Sequence, residues 1–241
     1  KMAAARAKYG DQAIDQQLAA EPSLPGRSSR VTPVVSIGNW LVVVDGRNDD
    51  CYGARQLADG KLSPWQTLGS WGYGGVNHGS GNVLLGDVAF NVGISGYTRR
   101  IKFLGDGVSK WEFPVPGDKI DPKGDRPREM VWGGAAGTTV GGRTFLYYLG
   151  GFEYKGGSGK DPTSLDVVYV AELQGKDGLG EWKATAPLPY PAMAPYGAGW
   201  QGRVYVLGGR SRFQVPEKFH AEVLMAKPNA DGTIPKWEVA G

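Results

Sequence analysis

Sulfur and imidazole are scarce in this chain of 241 residues, which has one cysteine, Cys51, and two histidines, His78 and His220. A single cysteine excludes an intramolecular disulfide and a cysteine-based zinc site. Two histidines far apart in the sequence argue against a zinc or copper centre, so no metal and no cofactor is expected. No apolar run approaches the roughly 18 residues of a membrane helix, and no secretory apolar segment is visible. The chain opens on Lys1 rather than methionine. That fits a processed end, and the compartment expected is extracellular, periplasmic or cell-surface. Charge of one sign is also lacking, with 27 basic against 24 acidic residues. The balance leaves no nucleic-acid footprint, and Arg99, Arg100 and Lys102 read as a solvated strand face.

Motifs for catalysis are absent too. There is no nucleophile elbow. "SGKD" (158–161) lacks the upstream glycine and the following Ser or Thr of a phosphate loop. "DGRNDD" (45–50) has oxygen ligands without the spacing of a calcium loop, and reads as a solvated loop. Asp49, Asp50 and Glu153 could serve acid–base chemistry, but nothing in the sequence pairs them on one surface. His78 reads as a hydrogen-bonded strand residue.

Glycine and tryptophan are plentiful, at 39 and 8 residues. Glycine at twice its usual share without a collagen period means many tight turns. Residues 1–30 differ from the rest. "KMAAARAKYGDQAIDQQLAA" is alanine-rich, with Ile14 and Leu18 spaced for a short helix, and Pro22, Pro25 and Gly26 then break it. This segment is expected to be a helical or irregular extension.

From residue 31 the texture becomes short β runs between glycine-rich turns, and a repeat emerges. Asp-Gly precedes a tryptophan by five or six residues four times: Asp59-Gly60 before Trp65, Asp106-Gly107 before Trp111, Asp177-Gly178 before Trp182 and Asp231-Gly232 before Trp237. Asp-Gly supplies the positive φ of a hairpin turn, and the tryptophan then opens the returning strand. Ahead of each hairpin lies a glycine-containing turn, about five strand residues and one or two glycines, as in "WQGRVYVLGGR" (200–210). Another strand candidate precedes that turn. The expectation is four strands per unit and four units, at about 31–70, 71–116, 127–190 and 191–241, with a mean near 53 residues.

The unit resembles a kelch-type β-propeller blade. The resemblance rests on Gly150-Gly151 and Gly208-Gly209, on Tyr169, on Trp182 and Trp237, and on "TAPLPYP" (185–191). It spans residues 31–241 and is strongest in the last two units. The first unit has only Gly46 where the pair should be, and the second has only Gly93. The resemblance implies an all-β propeller of four-stranded antiparallel blades. Such rings usually hold six or seven, so four would close tightly, pair with a second chain as a homo-oligomer completing a larger ring, or be part of a longer protein.

In such a blade the short turns lie on one face and the long connections on the other. Function gathers on long loops carried by a rigid scaffold. The candidate binding residues are therefore Arg47, Asn48 and Asp49 after the first unit's second strand, and Trp71 and Tyr73 in "SWGYGG". Tyr97 and Arg99 follow in the second unit, Phe152 and Tyr154 in the third, Arg210 and Arg212 in the fourth. Trp71 and Tyr73 suit packing between blades as well as a site. The function expected is non-enzymatic: an interaction or assembly module for another protein. A glycan-binding lectin-like propeller and a hydrolase or lyase on the same face stand as alternatives.

Overall fold

The structure is a computed structural model. It describes residues 34–44, 50–70, 81–94, 96–104, 109, 112, 119–120, 130–155, 161–175, 178–211 and 217–241. The expected N-terminal helix lies outside these residues. Among them the chain is all-β, with antiparallel sheets and no helix.

The strands arrive in four sequential groups. The first holds β1 (Val34–Ile37), β2 (Trp40–Val44), β3 (Asp50–Arg55) and β4 (Gln66–Ser70), hydrogen-bonded in that order. The second holds β5 (Gly81–Leu85), β6 (Val88–Ile94) and β7 (Tyr97–Lys102). Glu112, directly after the repeat tryptophan Trp111, bridges to Arg100 at the outer edge of this sheet. The third group runs β8 (Met130–Val131), β9 (Gly134–Val140), β10 (Arg143–Leu149), β11 (Phe152–Lys155), β12 (Asp161–Ser164), β13 (Val168–Gln174), β14 (Gly178–Leu179) and β15 (Lys183–Ala184). Its main sheet has the path β9-β10-β13, with β14 and β15 both on β13, while β8, β11 and β12 form a small separate sheet. The fourth group is β16 (Tyr196–Trp200), β17 (Arg203–Leu207), β18 (Arg210–Ser211), β19 (Lys218–Phe219), β20 (Val223–Ala226) and β21 (Glu238–Val239). Here β16-β17-β20-β21 make the sheet, and β18 and β19 a hairpin above it.

The local chemistry explains the ladders. "RTFLYYL" in β10 and "VYVAELQ" in β13 carry the branched and aromatic residues that pack well on a pleated surface. First and second strands are joined by two-residue turns at Gly38-Asn39, Gly86-Asp87, Gly141-Gly142 and Gln201-Gly202. Two of the four Asp-Gly turns are described, and both use one device. The aspartate oxygen accepts the backbone N–H two residues on, from Lys61 at 3.1 Å and from Thr233 at 3.0 Å. Each described repeat tryptophan stands immediately before the outer strand, as Trp65 does before β4, Trp182 before β15 and Trp237 before β21. Trp237 donates its indole N–H to the Ala186 carbonyl at 3.1 Å, which ties the fourth sheet to the strand connection of the third.

Neighbouring sheets pack through their inner strands, β1 against β5, β5 against β9 and β9 against β16. Ile37, Trp40 and Val42 meet Ala89 and Ile101 between the first two sheets. Val83, Phe90 and Val92 meet Ala135, Leu146, Tyr148 and Trp182 between the second and third. Phe145, Tyr147 and Val170 meet Val204, Val206 and Leu224 between the third and fourth. The last junction is close because β16 carries glycine at the contact. A Cβ on Gly197 would run into the Ala135 carbonyl, and one on Gly199 into the Gly137 carbonyl.

Candidate functional site

The long connections leave the third and fourth sheets at the glycines that follow the second strand. Gly150 and Gly151 both have positive φ, 62° and 92°, which a side chain rarely adopts. Space is closed as well. A Cβ on Gly150 would meet the Ala192 carbonyl, and one on Gly151 the Tyr148 hydroxyl and the Val131 carbonyl. Gly208 and Gly209 repeat the conformation at 64° and 99°. In the second sheet Gly93, at 99°, sits at a register shift between Val92 and Ile94.

Beyond these glycines the third and fourth units build a platform. The connection "APLPYPAMAP" (186–195) is held along its length by backbone bonds. Leu188 donates to Asp166, Ala192 to Leu165, Met193 to Arg210 and Ala194 to Trp132, at 2.7–2.9 Å. Gly151 donates in turn to the Ala192 carbonyl at 2.8 Å. Trp132 and Ala194 have φ of 58° and 52°, uncommon values for residues with a side chain. Both are held by the bond between them. Val131, Phe152 and Met193 form a small apolar cluster with Trp132 packed on it, its ring tilted 53° to Phe152 at 6.4 Å.

A second cluster fixes the β18–β19 hairpin. His220 stacks face to face on Tyr190, with ring centroids 3.6 Å apart and planes 2° apart. Ser211 Oγ lies 2.7 Å from His220 Nε2 and 2.7 Å from the Pro191 carbonyl oxygen. The hydroxyl has one proton, and the carbonyl can only accept, so the serine donates to Pro191 and accepts from Nε2–H. That tautomer leaves Nδ1 bare, 3.8 Å from Glu222 Oε2. Burial lowers the His220 pKa, Lys218 lowers it further and Glu222 opposes, so the ring is neutral at neutral pH. Burial also raises the pKa of Tyr190, with the Glu222 charge adding to it. Arg210 Nη1 sits 3.4 Å from Glu217 Oε1, closing the hairpin on its outer side.

Serine, histidine and a carboxylate in this order look like a nucleophilic triad, but the geometry serves another purpose. Ser211 is buried, and its proton is committed to Pro191 rather than to the histidine. The acid stands outside hydrogen-bond range of Nδ1. The group acts as a staple between the hairpin and the 186–195 connection. No group of three or more His, Cys, Asp or Glu side chains able to hold a metal occurs among the described residues. No described helix is long and apolar enough to cross a membrane.

The comparisons with known proteins add the fold. No protein-family model and no curated protein matches the chain. Among solved structures it is similar to YjhT, at 12% identity and a TM-score of 0.59, over 87% of this chain and 68% of that one. It is also similar to a chain in the cryo-EM structure of RAG in complex with one melted and one unmelted RSS, at 12% identity and a TM-score of 0.62, over 91% and 71%. At such identity the likeness shows the fold alone, and that fold is all-β and propeller-like.

The candidate residues fare unevenly. Arg47, Asn48, Asp49, Trp71, Tyr73 and Arg212 lie outside the described residues. Tyr97 and Arg99, offered as long-loop binding residues, belong to β7, and the solvated strand face expected for Arg99 is not found. Tyr97 is half-buried, and Arg99 is 1% exposed, so its side chain meets the interior rather than solvent. Phe152 opens β11 and is buried against Val131 and Met193. Tyr154 lies on the same short strand. Arg210 combines partial exposure with a place on the platform. Sequence reasoning missed Trp132, Tyr190, Met193, Ser211 and His220. Nothing local signals a contact between Tyr190 and His220, but Ser211 was within reach as the neighbour of Arg210.

Proposed function

We propose that the four sheets are blades of a kelch-like β-propeller, and that the protein is a non-enzymatic interaction or assembly module. It binds another protein on its long-loop side. The observation that carries this reading is Phe219, 71% exposed on β19, the strand paired with β18. Residue 219 is paired to Arg210, and the next residue, His220, is pinned by Ser211 and Tyr190. A large apolar ring carried into water on a paired strand suits protein recognition, because that backbone need not be ordered on binding. The buried staple argues against hydrolysis at this place. Of the aromatic residues that favour a glycan, Trp71 and Tyr73 lie outside the described residues, and Tyr97 is half-buried on β7.

The test is co-purification under high salt with the wild type and with Phe219→Asp, each checked by far-UV circular dichroism. One protein retained by the wild type and lost from the variant is the expected result. Equal retention by both, or a glycan-array signal that vanishes in the variant, overturns the reading.

A further inference from the structure

His220 is buried in a setting that suits only one of its charge states. Its side chain is 1% exposed. Ser211 Oγ accepts Nε2–H at 2.7 Å, and the ring lies flat on Tyr190. The other nitrogen, Nδ1, has no hydrogen-bond partner among the described residues. Neither has the atom it faces, Glu222 Oε2, 3.8 Å away. In the neutral ring both atoms are acceptors, so nothing draws them together. In the protonated ring Nδ1 becomes a donor, but 3.8 Å lies beyond hydrogen-bond range. The cation would be buried with one of its two N–H groups unsatisfied, which is costly.

The charges around the ring do not reverse this. Tyr190 comes from the 186–195 connection and stays neutral, because burial and the Glu222 charge raise its pKa. Arg210 comes from β18 and is engaged by Glu217 at 3.4 Å. Lys218 lies on β19 itself and opposes a second positive charge. Its Nζ also shares the Glu222 carboxylate, 4.0 Å from Oε1. Glu222 favours the cation, as does the face of Tyr190. The His220 pKa nevertheless falls below its ordinary value, with burial as the main cause.

The position of the ring gives its charge a consequence. His220 directly follows Phe219, and its backbone N–H donates to the Gly209 carbonyl at 2.9 Å. β19 meets the 186–195 connection through the stack of His220 on Tyr190 and through the Ser211 bridge to Pro191. β18 has a separate hold on that connection, a pair of backbone bonds between Arg210 and Met193 that involves no titratable group. We propose that His220 is a proton-operated catch for the strand that presents Phe219. Neutral, it holds β19 against the connection. Protonated, it leaves Tyr190 and Ser211, and β19 loosens while β18 stays in place. Acid thereby weakens binding at Phe219. That last consequence rests on the function proposed above, whereas the catch itself does not.

Amide hydrogen exchange of the full chain, followed by NMR from about pH 7.5 to about pH 5 and corrected for the intrinsic rate, tests the catch without any partner. The His220 amide is expected to lose protection below the ordinary imidazole value, by up to about tenfold per pH unit until the folded pKa is reached, because opening then takes up a proton. The Gly151 amide, bonded to Ala192 on the same connection at 2.8 Å, should keep its protection. His220→Asn should abolish the pH dependence. Glu222→Gln removes a charge that favours the buried cation, so the loss should continue to lower pH and grow larger. Either variant suffices if the other fails to fold. A wild-type His220 amide whose protection stays flat or rises in acid overturns the proposal, as does a wild-type profile in the folded variants. Co-purification at about pH 7.5 and about pH 5.5 reads the consequence. The wild type is expected to release its partner in acid and His220→Asn to keep it. A partner kept by the wild type in acid overturns the link to binding. Capture of no partner at either pH, with exchange as expected, defeats the binding function and leaves the catch standing.

Discussion

On the third sheet, Phe145 and Tyr147 lie under the Asp231-Gly232 turn of the next sheet. Gly232 is a glycine with φ of 83°, and a Cβ there would strike the Phe145 ring. The Tyr147 hydroxyl donates to the Gly232 carbonyl at 2.7 Å, and Arg143 Nη1 to the Ala230 carbonyl at 3.2 Å. Arg143 also grips Glu172, with Nε 2.7 Å from Oε1. On the fourth sheet, Tyr205, Leu207, Arg203 and Met225 hold the matching positions, and the face looks outward. The two sheets thus carry the same face in the same register under opposite conditions. Strand chemistry sets which side chains share a face, and only the presence of a neighbour decides what that face is worth.

Paired substitutions sharpen that contrast when unfolding is followed by denaturant at concentrations low enough to dissociate any dimer. Phe145→Ala should have the largest effect, a loss of about 3–5 kcal/mol, because it empties a site that the Gly232 turn cannot collapse to fill. Its counterpart Tyr205→Ala should cost no more than about 1 kcal/mol. Equal losses at the two positions would break the comparison. Gly199→Val comes next, since its side chain would be forced against the Gly137 carbonyl and push two sheets apart. A loss near the top of the roughly 1–3 kcal/mol range for overpacking is expected, whereas Ala198→Val, on the open face of the same strand, should leave the midpoint nearly unchanged. Tyr147→Phe removes the donor to Gly232 and should cost about 1 kcal/mol. Tyr205→Phe should be neutral, and a matching loss there would mean that the open face is covered even in the monomer.

The smallest expected effect concerns pH and the staple at His220. Its folded pKa lies below the ordinary imidazole value of 6.5, with burial as the main cause and Lys218 adding to it. Between the folded and unfolded values the unfolded chain binds more protons, so stability is greatest above 6.5 and declines as pH falls through the folded pKa. Protonation also turns Nδ1 into a donor facing Glu222, which limits the decline. The thermal midpoint should therefore drop more for the wild type than for His220→Asn when pH is lowered through this window. A variant with the same slope as the wild type would show that His220 does not carry it.

Much of the fold was legible because its signals are local. Asp-Gly turns need positive φ and an aspartate oxygen, and both described turns at Asp59-Gly60 and Asp231-Gly232 have them. Glycine pairs mark departures from the sheet, and Gly150-Gly151 has both the conformation and the crowding that exclude a side chain. Site residues were less legible. Arg99 read as solvated and Phe152 as part of a long loop, but each lies on a strand and turns its side chain inward. Their direction depends on what packs above them, which no period of two or 3.6 encodes. The same holds for His220, whose partners Tyr190, Pro191 and Ser211 come from two connections that meet only in space.

The sequence by itself determined the repeat, the turn chemistry, the place of the repeat tryptophans Trp65, Trp182 and Trp237 and the alternation that sorts side chains onto two faces. These follow from backbone dihedrals and from neighbours a few residues away. Only the tertiary structure decided which of those faces are buried. It put Phe145 under a glycine turn and left Tyr196, Trp200 and Leu207 in water. Burial is a property of the second sheet that arrives, and the strand that receives it cannot specify in its own pattern whether one does.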